Sequence, residues 1–185
     1  MKIGRLLPRL VVGGLFLGHG TQKLFGWFGG QGLDATAQGF EQLGLRPGRR
    51  NAIAAGGAET GGGALLAAGL ATPLAASILT ATMLTAIHQV HGKQGPWLND
   101  GGYEYNLVLI AAALALAEVG PGGLSLDGAL GRERSGSGWA LAALGALGAG
   151  VLGAIGSYAA TAALAAPPET GTDQADATPS VEVPS

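Results

Sequence analysis

Cysteine is absent from all 185 residues. That excludes disulfides, CxxC redox chemistry and thiolate metal sites together, so any redox role must run through a bound cofactor or a partner protein. Charge is scarce too. Charged residues make up 12% of the chain, against about 25% in an ordinary soluble protein. A formal net charge of −2 offers no electrostatic footprint for nucleic acid, which is therefore not expected as a partner.

Apolar residues fill the space the charges leave, at 48% of the chain. Thirty-five glycines hold the mean hydropathy down to +0.35, so the apolar segments are more membrane-like than the average suggests. Lys2, Arg5 and Arg9 precede the first of them. A signal peptide would begin the same way, but here the apolar run continues through Gly18-His19-Gly20 to Leu24-Phe25 without a small-x-small cleavage site. A first transmembrane helix is the better reading.

A membrane crossing needs about 20 residues of helix. Five segments qualify, at residues 6–26, 50–71, 73–91, 103–119 and 139–165. The expected fold is therefore all-α, a polytopic membrane helix bundle in contact with the lipid bilayer. Ala71-Thr72-Pro73 reads as a tight connection with Pro73 in the first turn of the next helix. Trp27 and Phe28 suit a membrane interface, and Leu33 to Leu45 reads as a short helix in the membrane plane or as a plain loop. By domain, residues 1–120 form a four-helix core and 121–138 a Gly/Ser-rich linker. Residues 139–166 form a fifth transmembrane helix, and 167–185 a disordered, acidic, proline-rich tail.

Basic residues divide evenly between the two sides of such a bundle, so the first span decides orientation. It places the amino terminus in the cytoplasm and the acidic tail outside a bacterial plasma membrane. Gly14-x-x-x-Gly18 and Gly57-x-x-x-Gly61 are spaced for close helix approach, within the bundle or in a homo-oligomer.

Glu59 lies near the middle of the otherwise uncharged stretch Asn51–Leu70. A charge at such a depth costs roughly 2.5–3.5 kcal/mol on insertion scales and is kept for a partner or a function. At about 1.5 Å of rise per residue, Lys23 falls roughly 5 Å, His19 roughly 10 Å and Glu59 about 14 Å inside the same membrane boundary. His88 and His91 end the third span at that boundary, and Tyr103, Glu104 and Asn106 open the fourth. His19 and Lys23 are four apart and share a helix face, as do His88 and His91, three apart. The candidate site follows: Glu59, His19 and Lys23 for proton transfer and charge stabilisation, with Glu104, His88 and Tyr103 for ligand binding. The plainer alternative for Glu59 is a structural ion pair with Lys23 or a hydrogen bond to His19. No metal site is expected.

Three ordered motifs carry a family resemblance: His19-Gly20-x-x-Lys23-Leu24-Phe25-Gly26, then Glu59-x-x-Gly62-Gly63-x-x-Leu66-x-x-Gly69-Leu70, then Gly101-Gly102-x-Glu104. Together they resemble the DoxX family of small bacterial membrane proteins over about residues 5–120. The resemblance implies a four-helix integral membrane protein associated with membrane oxidoreductase assemblies and with oxidative-stress or thiol defence. A fifth span and an acidic tail depart from the common pattern.

Whether the chain is itself an enzyme stays open. One reading is a redox subunit binding a quinone, no other cofactor being evident, with His19 or Glu59 delivering protons unless Lys23 pairs with the carboxylate. Other readings are a non-catalytic scaffold for soluble redox enzymes, a small proton-coupled transporter, and a haem protein using His19 with His88 or His91.

Overall fold

The computed structural model describes residues 3–133 together with 135, 136, 138, 141 and 145. The segments expected as a fifth span (139–166) and an acidic tail (167–185) lie essentially outside these residues. Helices α1 (Ile3–Phe25), α2 (Gly32–Gln42), α3 (Gly48–Ala68), α4 (Thr72–Ala86), α5 (Glu104–Val119) and the short α6 (Leu126–Ala129) follow in order, and no strand occurs among the described residues. α1 packs along α3, α3 against α4 and α4 against α5, with α2 laid over α1 and α3. The described residues are all-α, as composition and apolar spacing lead one to expect.

α1 buries Arg9, Val12, Gly13, Phe16, Gly20 and Thr21, a helical spacing that turns one face inward. Val12 and Phe16 join Leu66 of α3, Ala75, Leu79 and Met83 of α4, and Leu109 and Leu116 of α5 in one core. Ala76, Ala113 and Ala117 form a second, smaller contact between α4 and α5.

Glycine sets the spacing of α1 and α3, but at other positions than the sequence motifs suggest. A Cβ on Gly13 would stand 2.6 Å from Gly63 O and from Ala67 N; one on Gly63 would stand 2.6 Å from Gly13 O and Leu17 N. Gly20 and Gly56 make a second close approach, where a Cβ would collide with Thr60 or Leu24. Gly14, Gly18, Gly57 and Gly61 have nothing within 4 Å of a Cβ site. One residue turns a helix by about 100°, so the close approach runs through neighbouring glycines and the spaced motifs face away from it.

The α3–α4 turn closes on Gly69 (φ 66°), with Gly69 N bonding Leu66 O at 3.1 Å and Leu70 N bonding Leu65 O at 3.0 Å. Pro73 stands in the first turn of α4. α4 continues through a π turn at Ile87–His91 and a 3-10 turn at Gly92–Gln94. This combined run, Thr72–Gln94, is the one helix among the described residues long and apolar enough to cross a membrane by length and composition. α5 has only 16 residues, while α1 and α3 are diluted by Arg5, Arg9, Lys23, Arg49, Arg50 and Glu59. A count of five spans is therefore not established by the helices themselves.

Residues 120–131 fold onto the end of the bundle where α1 begins. Arg9, 1% exposed, donates from Nη1 to Pro121 O and from Nη2 to Leu124 O (2.8 Å) and Ala67 O (3.3 Å). The buried Asp127 accepts from Ala71 N at 2.8 Å and returns its own N–H to Gly69 O at 3.1 Å. The first part of the Gly/Ser-rich segment thus seals the α3–α4 turn. An arginine here satisfies three carbonyls from two separate segments, a role its place among the amino-terminal basic residues does not announce.

Candidate functional site

The carboxyl-terminal half of α1 carries His19, Gln22 and Lys23 on one face, as spacings of three and four require. Lys23 Nζ reaches Glu59 Oε2 at 2.6 Å, with the carboxylate side chain 5% exposed and the lysine 27%. The structure brings the deep carboxylate and the lysine together as an ion pair across α1 and α3. A buried carboxylate left alone is strongly disfavoured, and a short charge-assisted hydrogen bond offsets much of that penalty.

His19 is surface-exposed. Its Nδ1 lies 3.1 Å from Gln22 Oε1, and Gln22 Nε2 donates to Phe28 O at 3.3 Å. His19 therefore engages Gln22 rather than Glu59.

His19, Gln22 and Lys23 line one wall of a cleft of about 400 Å³. Opposite them α2 presents Ala35, Thr36, Gly39 and Phe40, followed by Leu43 just past its end, with Gly29, Gly30 and Gln31 at one end. The spacing 35, 36, 39, 40 and 43 is one helix face. Thr36 turns its hydroxyl back to Gly32 O at 2.7 Å and toward Lys23 O at 3.4 Å, tying α2 to the end of α1. The cleft thus combines an imidazole, an amide and an ammonium with an apolar wall. Lys23 is the element common to the ion pair and the cleft.

The other sequence candidates lie elsewhere. His88 is exposed on the π turn. Tyr103 precedes α5, and its N–H bonds Gly95 O at 3.2 Å. Glu104 Oε2 accepts from Leu98 N at 3.0 Å while Glu104 N donates to Pro96 O at 2.8 Å. These two bonds tie the start of α5 to Pro96 and Leu98 and, with His91 Nδ1 against Gly101 O at 2.7 Å, order the loop between α4 and α5. His88, Tyr103 and Glu104 are not among the residues that line the cleft. No group of three or more His, Asp or Glu side chains gathers as metal ligands among the described residues.

Sequence reasoning missed Gln22 and the α2 wall. Gln22 is an uncharged residue inside the first motif, and its contact with Phe28 depends on a loop that returns to it. The one signal it carries in the sequence is its place on the His19 and Lys23 face.

Compared with known proteins, residues 4–92 match the model of the DoxX family. The match includes His19, Lys23, Glu59 and His88 and ends before Tyr103 and Glu104. A protein of Bacillus subtilis (strain 168), provisionally named as the oxidoreductase CatD, is 35% identical over 115 residues, which is 62% of this chain and 79% of that protein. No solved structure matches.

Proposed function

The chain belongs to the DoxX family, and on that premise we propose that it is a multi-pass plasma-membrane protein serving a redox system. Its part in that system is to hold a quinone-type carrier in the cleft between α1 and α2. Large apolar side chains on the outer faces of the helices, among them Leu7, Leu10, Val11, Leu15, Leu74, Leu84, Leu107 and Val108, support a lipid-facing bundle. Four spans from α1, α3, α4 and α5 and a fifth near residues 139–166 belong to this reading, with the amino terminus in the cytoplasm.

The observation that carries the proposal is the position of Lys23. It is paired with the buried Glu59 at 2.6 Å and also lines the cleft. An ammonium has three N–H donors, and the carboxylate occupies one. The others are free to meet a ligand oxygen, where they would favour electron-rich character. Glu59, held by Lys23, acts here as a fixed counter-charge that orients the ammonium. His19 is the group able to exchange a proton with a bound carrier. Electrons would come from a partner oxidoreductase, since the side chains of this site have no redox centre of their own.

The name of the Bacillus subtilis relative supports an oxidoreductase setting and says nothing of the carrier. The test is purification of the full chain in mild detergent, followed by extraction and mass spectrometry of bound lipids and quinones. The expected result is a quinone retained by the wild-type chain and lost from Lys23→Met. Quinone absent from the wild-type preparation, or retained equally by the variant, would overturn the assignment.

A further inference from the structure

Gln22 is held on both sides. Its amide has one donor end and one acceptor end, and Phe28 O can only accept. The donation from Nε2 to Phe28 O at 3.3 Å therefore turns Oε1 toward His19 Nδ1 at 3.1 Å. An acceptor oxygen facing Nδ1 requires the ring proton there. In neutral imidazole the second nitrogen, Nε2, is then a bare acceptor. The tautomer follows from the hydrogen-bond network, as it must where protons are inferred.

The loop after α1 is built around this amide. Gly26, Phe28, Gly29 and Gly32 take φ values of 72°, 52°, 77° and 78°. Phe28 is a bulky residue in the left-handed region, which is adopted only where the surroundings impose it. Gly30 lies so close to Gln22 that a Cβ there would stand 2.5 Å from Gln22 Cα and Cβ. The close approach and the backward carbonyl both deliver the loop to Gln22, whose amide faces His19.

We propose that Gln22 is a positioning residue that fixes His19 as an Nδ1–H imidazole, so that the cleft selects ring ligands bearing a hydroxyl group. This rests on the carrier-binding reading above and narrows it. A quinone has only acceptor oxygens, so it can take donors such as Lys23 but offers nothing to the bare His19 Nε2. A hydroquinone or similar phenol donates one hydroxyl to His19 Nε2 and offers oxygen lone pairs to Lys23, while Ala35, Phe40 and Leu43 cover its ring.

The test uses the full chain in lipid nanodiscs with nitrogen-15-labelled histidine. The chain has three histidines, and His88→Gln and His91→Gln variants assign the signals. The expected result is Nδ1–H for neutral His19 in the wild type, loss of that preference in Gln22→Met and its retention in Gln22→Glu, whose carboxylate still accepts from Nδ1. A merely structural role for Gln22 would not distinguish the two substitutions by tautomer. Hydroquinone and 1,4-dimethoxybenzene are then titrated against the His19 signal. Hydroquinone should bind about tenfold more tightly, the worth of one hydrogen bond the ether cannot make. Nε2–H in the wild type overturns the role of Gln22, and equal binding of the two probes overturns the hydroxyl selection. Binding of neither probe, with Nδ1–H intact, overturns the carrier reading and the ligand class with it.

Discussion

Lys23 Nζ and Glu59 Oε2 stand 2.6 Å apart across the contact of α1 with α3, the carboxylate almost wholly enclosed and the ammonium partly exposed. The pair joins residues 36 apart in the chain at the level where Gly20 and Gly56 let the helices touch. Removing one member leaves the other without compensation, whereas removing both leaves a neutral contact. That asymmetry distinguishes a coupled pair from two independent polar residues.

Lys23→Met should therefore destabilise the bundle by about 2 kcal/mol, less than the roughly 3–5 kcal/mol of a fully buried pair because the ammonium is part-exposed. Lys23→Met combined with Glu59→Gln should recover most of that loss. Thermal unfolding of the four members of the cycle in one detergent measures the coupling. Additive single effects would show that the pair does not act as a unit.

The glycines separate into two classes with opposite signs. Gly63→Ala and Gly13→Ala place a methyl against backbone and should destabilise by about 1–3 kcal/mol or more, as overpacking does. Gly57→Ala and Gly61→Ala meet open space and should be neutral or stabilising by up to about 1 kcal/mol through helix propensity. Melting temperatures of the four variants decide it, and destabilisation by Gly57→Ala would move the close contact to the other face.

Arg9→Lys should release residues 120–131 from the bundle, because one ammonium does not reproduce a guanidinium fork that serves Pro121, Leu124 and Ala67. A loss of about 2 kcal/mol or more is expected from the unmade charge-assisted bonds. Limited trypsin digestion at the exposed Arg132 should accelerate in the variant. Unchanged cleavage would mean the segment is held by Asp127 alone.

Glu104→Ala should loosen the loop between α4 and α5 without disturbing the cleft. The amide of Leu98, bonded to Glu104 Oε2 at 3.0 Å, should exchange with deuterium faster, while Glu104→Gln, which keeps an acceptor oxygen, should stay close to wild type. Loss of bound carrier in Glu104→Ala with Leu98 exchange unchanged would instead return Glu104 to the ligand site.

The helices themselves are legible in the amino-acid sequence. α1, α3, α4 and α5 start and stop within a few residues of the apolar runs at 6–26, 50–71, 73–91 and 103–119, because apolar continuity and the punctuation of Gly69, Pro73 and Gly120 are local properties. The pairing of Glu59 with Lys23 is legible as an alternative, since helices crossing back and forth place residues of similar depth at similar height. Height does not specify azimuth, however. Gly14 and Gly57 carry the familiar spacing, yet Gly13 and Gly63 make the contact; the inward face of α1 is selected by Phe16 and Val12 packing on Leu66, a relation between helices and not within one.

The same limit governs the site. The sequence alone determined a cysteine-free, all-helical chain with a carboxylate in an apolar stretch, and it placed His19 and Lys23 on one face, because composition and the 3.6-residue turn are properties of the chain by itself. Only the tertiary structure decided that Lys23 would join Glu59 to a cleft, that Glu104 would bond the loop before α5, and that Gln22 and Arg9 would contact the backbone carbonyls they do. Lys23 and Arg9 depend on segments 36 to 115 residues away, while Glu104 and Gln22 depend on how a nearby loop folds back on them. Such proximity is set by packing, which no spacing along one helix encodes.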